Sequence, residues 1–191
     1  MGKSIDNSSD TKKRILQEAE KLFSENGVKT TSLADIAKAV NISKGTLYYY
    51  YTSKEDIVCD ITDIHLNVIT NELISCVNNF SKTQPKDELI MTVIKQVISA
   101  ETRGKLHLYL LSESLSGNNR LKERMILKYQ EWLNVVQLGI QAASIQTAYD
   151  PIVLSQIIIS LIDGFSILTL MNVGDLAICE AAKLLANENS N

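Results

Sequence analysis

The sequence predicts an all-α protein. Apolar residues recur at three- and four-residue spacing through nearly the whole chain, and no segment alternates cleanly with period two. Two prolines and eight glycines leave few breaks in 191 residues. The breaks that do occur carry helix punctuation, with Ser or Asp before an apolar stripe and Gly or Asn after it.

The elements follow in order. A first helix is expected over about Thr11–Asn26, capped by Asp10. Its stripe is Ile15, Leu16, Ala19, Leu22 and Phe23, and Gly27 stops it. Ser32 and Asp35 have capping-box spacing for a second helix whose apolar face is Leu33, Ile36, Ala37 and Val40. Asn41 ends it, Ile42 fills the turn, and Ser43 caps a third short helix. Leu47 and Tyr51, four apart, turn inward there. Lys44, Gly45, Thr46, Tyr48 and Tyr49 are left toward solvent. Ser53 and Asp56 repeat the capping spacing and open a long fourth helix to about Phe80. Its expected interior is Ile57, Ile61, Ile64, Leu66, Ile69, Leu73 and Val77.

SKTQPK is the first real break. A fifth helix over about Lys86–Thr102 buries Leu89, Ile90, Val93, Ile94, Val97 and Ile98. A sixth runs from Gly104 to Leu115. After the loop Ser116–Asn119, a seventh covers about Arg120–Ala143 with Met125, Tyr129, Trp132, Leu133, Val136 and Ile140 on one face. Asp150-Pro151 opens an eighth, Pro suiting the first helical position, and it reaches about Asn172. Gly174 precedes a ninth helix to about Asn187.

Two helices joined through a tight turn, residues 30–51, make a helix-turn-helix whose second helix enters the DNA major groove. That second helix carries Lys44, Gly45, Thr46 and four consecutive tyrosines. The matching residues are Ile15-Leu16, Ala19, Leu22-Phe23, Gly27, Thr31, Asp35-Ile36-Ala37, Val40, Ser43-Lys44-Gly45-Thr46-Leu47-Tyr48 and Lys54-Glu55. On these residues, about 10–60, the segment resembles the DNA-binding domain of the tetracycline repressor (TetR) family. Family members often have His where Tyr50 stands and Phe where Tyr51 stands. The resemblance implies double-stranded DNA with a palindromic operator as partner, a homodimer, and a small-molecule effector in the helical body. The DNA-binding candidates are Thr31, Ser32, Ser43, Lys44, Gly45, Thr46, Tyr48, Tyr49, Tyr50 and Lys54.

Charge is segregated in the same sense. Residues 1–54 hold nine basic and six acidic side chains, net +3, while the whole chain is −3, which leaves −6 for residues 55–191. A basic head on an acidic body suits phosphate contact at one end. The expected domains are 1–54 for DNA binding and 55–191 for ligand binding and dimerisation.

The eighth helix is apolar nearly all round and is long enough to span a bilayer, but Ser155, Gln156, Ser160 and Asp163 interrupt it. Burial on two sides, against its own core and against a partner chain, explains it better. Gly164 then suggests close backbone approach. Ile157, Leu161, Gly164, Leu168, Ile178, Ala181, Ala182 and Leu185 are the dimer candidates, in a four-helix interface with twofold symmetry. A cavity in the body would be lined by His65, Ile69, Ile94, Ile98, Glu101, Tyr109, Glu113, Tyr129, Trp132 and Phe165. The ligand expected there is apolar or amphipathic, and cationic if Glu101, Glu113 or Asp163 faces it.

An enzyme is disfavoured. His65 and His107 are far apart, neither has Glu at i−3, and there is no HExxH, glycine-rich phosphate loop or GxSxG. No metal or cofactor is expected. Cys59, Cys76 and Cys179 form no CxxC pair. Cys59 and Cys76, on one expected helix, would stand roughly 25 Å apart, too far to bridge. Reduced thiols and a polar N-terminus without an apolar segment point to the cytoplasm. The expectation is a ligand-responsive transcriptional regulator, most simply a repressor. A ligand-independent organiser or activator of the same fold is the alternative.

Overall fold

A computed structural model describes residues 3–80, 85–98, 101–143 and 150–186, with backbone alone at 3–7, 97–98 and 101–103. The described residues form α1 (Lys3–Asn26), α2 (Leu33–Val40), α3 (Lys44–Tyr50), α4 (Lys54–Asn79), α5 (Lys86–Ile98), α6 (Glu101–Leu115), α7 (Asn119–Ala142), α8 (Pro151–Leu170) and α9 (Ile178–Ala186). No strand occurs among them. The chain divides into two compact units, Met1–His65 and Leu66–Asn191, and α4 contributes to both.

In the first unit α1 packs on α2, and α2 on α3. Ile15, Ala19, Phe23, Ile36, Ala37, Val40, Leu47 and Ile57 are buried between them. The capping box at α2 forms: Ser32 Oγ accepts from Asp35 N at 3.2 Å, and Asp35 Oδ2 accepts from Ser32 N at 2.9 Å. Asn41 stops α2 in the left-handed region with φ 59°. Ser43 Oγ accepts from Thr46 N at 3.0 Å and Ser53 Oγ from Asp56 N at 3.1 Å, starting α3 and α4. One long-range cap was not foreseen. Arg14 Nη2 donates to Val40 O at 2.8 Å, satisfying a carbonyl at the end of α2.

In the second unit α5 lies against α8 and α9, and α7 against α6 and α8. Its core holds Leu73, Ile90, Ile94, Leu110, Leu121, Met125, Trp132, Ile140, Leu154 and Ile158. Asn118 caps α7 and Asp150 caps α8, with Pro151 in its first turn. α8 has the length and apolar character of a membrane span. Its inner face is nonetheless buried within the unit, at Leu154, Ser155, Ile158, Ile159 and Ile162.

Several expectations are corrected. Asp10 does not cap α1 but lies inside it, since α1 begins at Lys3. The apolar stripe starts only at Ile15, so it carried no signal for the polar turns before it. Ile64 is exposed, because the buried residues of α4 around it, Ile57, Ile61, Leu66, Ile69 and Leu73, follow a different face. α6 begins at Glu101 rather than Gly104, and α9 only at Ile178. At Gly164 a Cβ would meet nothing of its own chain within 4 Å, so the close approach expected there falls to a partner chain. Gly139 is a close-approach glycine, since a Cβ there would come within 2.6 Å of Val77 Cγ2. The predicted burial of Val97 falls outside the described side chains.

Candidate functional site

α3 is held by its inward side chains. Leu47 is fully buried. Tyr51 follows α3 in extended conformation, with φ −140° and ψ 119°, which ends the helix and turns its ring into the core. Its hydroxyl donates to Asp60 Oδ2 at 2.8 Å, and Lys12 Nζ pairs with the same oxygen at 2.8 Å while sitting 5.5 Å from the Tyr51 ring centroid. Burial, followed by the hydrogen bond and charge of Asp60, pushes the Tyr51 phenol far above its ordinary range, so it stays a donor.

The outward side carries different groups. Lys44, Gly45 and Thr46 are exposed, Tyr48 is 53% and Tyr49 81% exposed, and Tyr50 is half-buried. The Tyr49 and Tyr50 rings meet edge to face with centroids 5.2 Å apart. A large apolar ring left in solvent costs hydration free energy unless a partner covers it. Beside α3, Ser32, Leu33, Ala34, Lys44, Leu47, Tyr48 and Lys54 line a recess of about 370 Å³. The exposed Lys44 makes it suited to a phosphate.

Four of the expected DNA-binding residues have other tasks in the fold. Thr31 is buried, and its hydroxyl donates to Gly27 O at 2.9 Å, closing the turn after α1. Lys54 donates to Val28 O at 2.6 Å and Thr31 O at 3.0 Å, so its ammonium also ties the α1–α2 loop to the start of α4. Ser32 and Ser43 act as helix caps.

The second unit contains a polar network among aromatic rings. Tyr129 donates to Asp163 Oδ2 at 2.8 Å, and its oxygen lies 3.0 Å from His107 Nε2. The single phenolic proton goes to Asp163, so His107 Nε2–H is the donor to Tyr129. Trp132 donates to Thr70 Oγ1 at 2.8 Å, and its ring centroid is 4.9 Å from Tyr129 and 5.9 Å from His107. Burial first, then the Asp163 charge, pushes the Tyr129 phenol far up. These groups bond to one another and stack around Trp132. A groove of about 530 Å³ opens elsewhere, between α4 and α5. Glu72 and Cys76 line it from α4, Phe80 from just after it, and Glu88, Leu89 and Gln96 from α5. Burial and the Glu72 charge raise the Cys76 thiol. A smaller apolar void lies among Leu73, Ile90, Val136, Gly139 and Ile158.

Residues 15–61, which hold the capped helices and the exposed face of α3, match the model for bacterial regulatory proteins of the tetR family. Over these residues, and not over the whole chain, the sequence is similar to that family. It is 32% identical over 115 residues to a biofilm operon icaADBC negative transcriptional regulator, IcaR, of Staphylococcus epidermidis, an alignment covering 60% of each chain. The chain thus spans about 60% of that relative's length. Two solved structures share the fold. One is a Saccharomonospora viridis protein, described as a transcriptional regulator, in complex with choline; it has a TM-score of 0.78 at 18% identity, covering 93% of this chain and 94% of that one. The other is AibR in complex with isovaleryl coenzyme A and operator DNA, with a TM-score of 0.67 at 19% identity, covering 92% and 98%.

Among the described residues, the expected ligand residues divide between a hydrogen-bonded network and separate buried or half-buried positions. Tyr129 and Trp132 belong to the network, with His107 and Asp163. Ile69 and Ile94 are buried, His65 is buried near the end of the first unit, and Tyr109, Glu113 and Phe165 are half-buried. The side chains of Ile98 and Glu101 lie outside the described residues. None of the eight with described side chains is among the residues lining the groove or the small void. Sequence reasoning missed the groove because α4 and α5 present it with mixed residues, Asn71, Ser75, Asn79 and Thr92 among them, that show no apolar stripe. Of the dimer candidates, Ala182 is buried inside its own unit. Ile157, Leu161, Gly164, Ile178, Ala181 and Leu185 are half-buried, and Leu168 is exposed.

Proposed function

We propose that this protein is a cytoplasmic, homodimeric DNA-binding regulator of transcription, acting as a repressor on a palindromic operator. The observation that carries this is the face of α3, where Lys44, Thr46, Tyr48 and Tyr49 stand exposed on a helix whose other side is locked by Leu47 and Tyr51. Two copies related by a twofold axis would place two such helices in successive major grooves. Selection of binding duplexes from a random pool tests this. A recovered palindrome bound at nanomolar concentration, and about ten- to a hundredfold more weakly by a Tyr49→Ala variant, is the expected result. Failure to enrich any sequence would refute it.

The dimer face would be the outward side of α8, supplemented by Ile178, Ala181 and Leu185. Ile152, Val153, Ile167, Leu168 and Met171 are exposed there, and Gly164 leaves open space beside them. The residue set 1–54 would bind DNA, and 55–191 would carry dimerisation and effector binding.

The effector site that best fits is the α4–α5 groove, which has the volume of a small-molecule pocket. Its charged lining residues are Glu72 and Glu88, and Phe80 offers an aromatic face, so an amphipathic cation suits it. Tetraphenylphosphonium should bind and slow alkylation of Cys76, and Glu72→Gln should weaken binding. Equal binding of tetraphenylborate would exclude a cation site. A regulator without an effector is the second reading, favoured by the bonds that already engage Tyr129 and Trp132 with Asp163 and Thr70.

A further inference from the structure

We infer that α3 selects thymine through contacts to its 5-methyl group, so that the half-site this protein reads is rich in A·T pairs. This rests on the DNA-binding reading above and adds the base that is recognised.

Base pairs in the major groove are distinguished by hydrogen-bond donors, acceptors and the thymine methyl. Bidentate recognition of guanine uses Arg or Lys, adenine is read by Asn or Gln, and cytosine by Asp or Glu. Residues 44–50 contain no Arg, Asn, Gln, Asp or Glu. Lys44 is the single charged residue of α3 and lines the recess suited to a phosphate, with Ser32 and Lys54. The groups left to meet base edges are therefore a threonine and tyrosine rings.

Thr46 is exposed, but its hydroxyl is engaged. Thr46 Oγ1 lies 2.8 Å from Ser43 Oγ, which also accepts from Thr46 N at 3.0 Å. The cap holds the hydroxyl, which leaves the γ-methyl as the group free to touch a base. Tyr49 is 81% exposed, and its edge-to-face contact with Tyr50 at 5.2 Å props the ring outward. Gly45 adds no side chain between them and the DNA, and a Cβ there would meet only Ser43 Oγ, at 3.7 Å. A methyl and the carbon edge of a ring form an apolar surface, beside the hydroxyl that Tyr49 also carries. The thymine methyl is the one major-groove feature that such a surface recognises.

The test begins with the half-site selected by the full chain from random duplexes. Each thymine is then replaced by deoxyuridine, which removes the 5-methyl and nothing else. Binding should weaken about three- to tenfold at one or more thymines per half-site. Thr46→Ser keeps the cap hydroxyl and removes the methyl, so it should abolish the uracil effect at one position. Tyr49→Ala should abolish it at another, as expected for coupled pairs. Selected half-sites in which every deoxyuridine binds like thymine would overturn the inference while leaving the DNA-binding reading intact. So would uracil sensitivity that survives unchanged in both variants. A chain that selects no duplex overturns both.

Discussion

Trp132 donates its indole N–H to Thr70 Oγ1 at 2.8 Å, joining α7 to α4 across 62 residues of sequence. Thr70 in turn donates to Leu66 O at 2.9 Å, so the threonine remains satisfied if the indole is removed. This makes Trp132 a core strut. Trp132→Phe should cost about 1–2 kcal/mol for the lost bond, and Trp132→Ala about 3–5 kcal/mol for the cavity as well. Urea unfolding monitored by circular dichroism measures both. An alanine variant as stable as the parent would mean that the indole is not packed as described.

Lys44 and Lys54 should respond differently to salt. Lys44 is exposed on α3, whereas Lys54 Nζ is held by Val28 O and Thr31 O. Lys44→Ala should lower the slope of log affinity against log salt by about 1. Lys54→Ala should weaken DNA binding with little change in slope, and should destabilise the protein by about 1–3 kcal/mol as the loop carbonyls lose their donor. Gel shifts over a salt series, with a thermal melt, separate the two. A stable Lys54→Ala variant with a flattened slope would reassign Lys54 to phosphate.

Asp35 gives a pH dependence. Its hydrogen bonds with the Ser32 side chain and backbone hold its carboxyl below the ordinary range. The folded pKa is thus lower than the unfolded one. The contribution is fully present above the unfolded value, near neutral pH included, and is lost as pH falls through the folded value. Thermal melts should show Asp35→Ala below the parent at pH 7, with the gap closing as the solution is acidified below about pH 4. A gap that widens in acid would contradict the capping box.

Gly139 and Val77 are coupled by contact. Gly139→Ala should cost about 1–3 kcal/mol, because its Cβ would overlap Val77 Cγ2 at 2.6 Å. Val77→Ala should relieve most of that cost, so the double mutant is less destabilised than the sum of the singles. Strict additivity in denaturant titrations would show that the two side chains do not meet.

The outward face of α8 should hold two chains together. Leu168→Asp would place an unpaired charge among Ile167, Gly164 and Met171 in the proposed interface. Sedimentation should find the parent dimeric at micromolar concentration and the variant monomeric, helical and without operator affinity. A folded parent monomer at that concentration would remove α8 from the dimer.

The sequence by itself determined the all-α class and the start or stop of α2, α3, α4, α7 and α8. Those boundaries rest on side chains within a few residues of the backbone they cap, such as Ser32 with Asp35, Ser43 with Thr46 and Ser53 with Asp56. Local spacing is enough to read such bonds. Leu47 and Tyr51 were legible as the inner face of α3 for the same reason, which left Tyr48 and Tyr49 outside. Only the tertiary structure decided that Lys54 reaches Val28, that Arg14 caps Val40, that Trp132 bonds to Thr70, and that Gly139 packs against Val77. Each depends on where another helix passes, and helical periodicity gives a face but not the neighbour against it. Ala182 shows the same limit: a small residue on an apolar face looks alike whether α5 of its own chain or a second chain covers it.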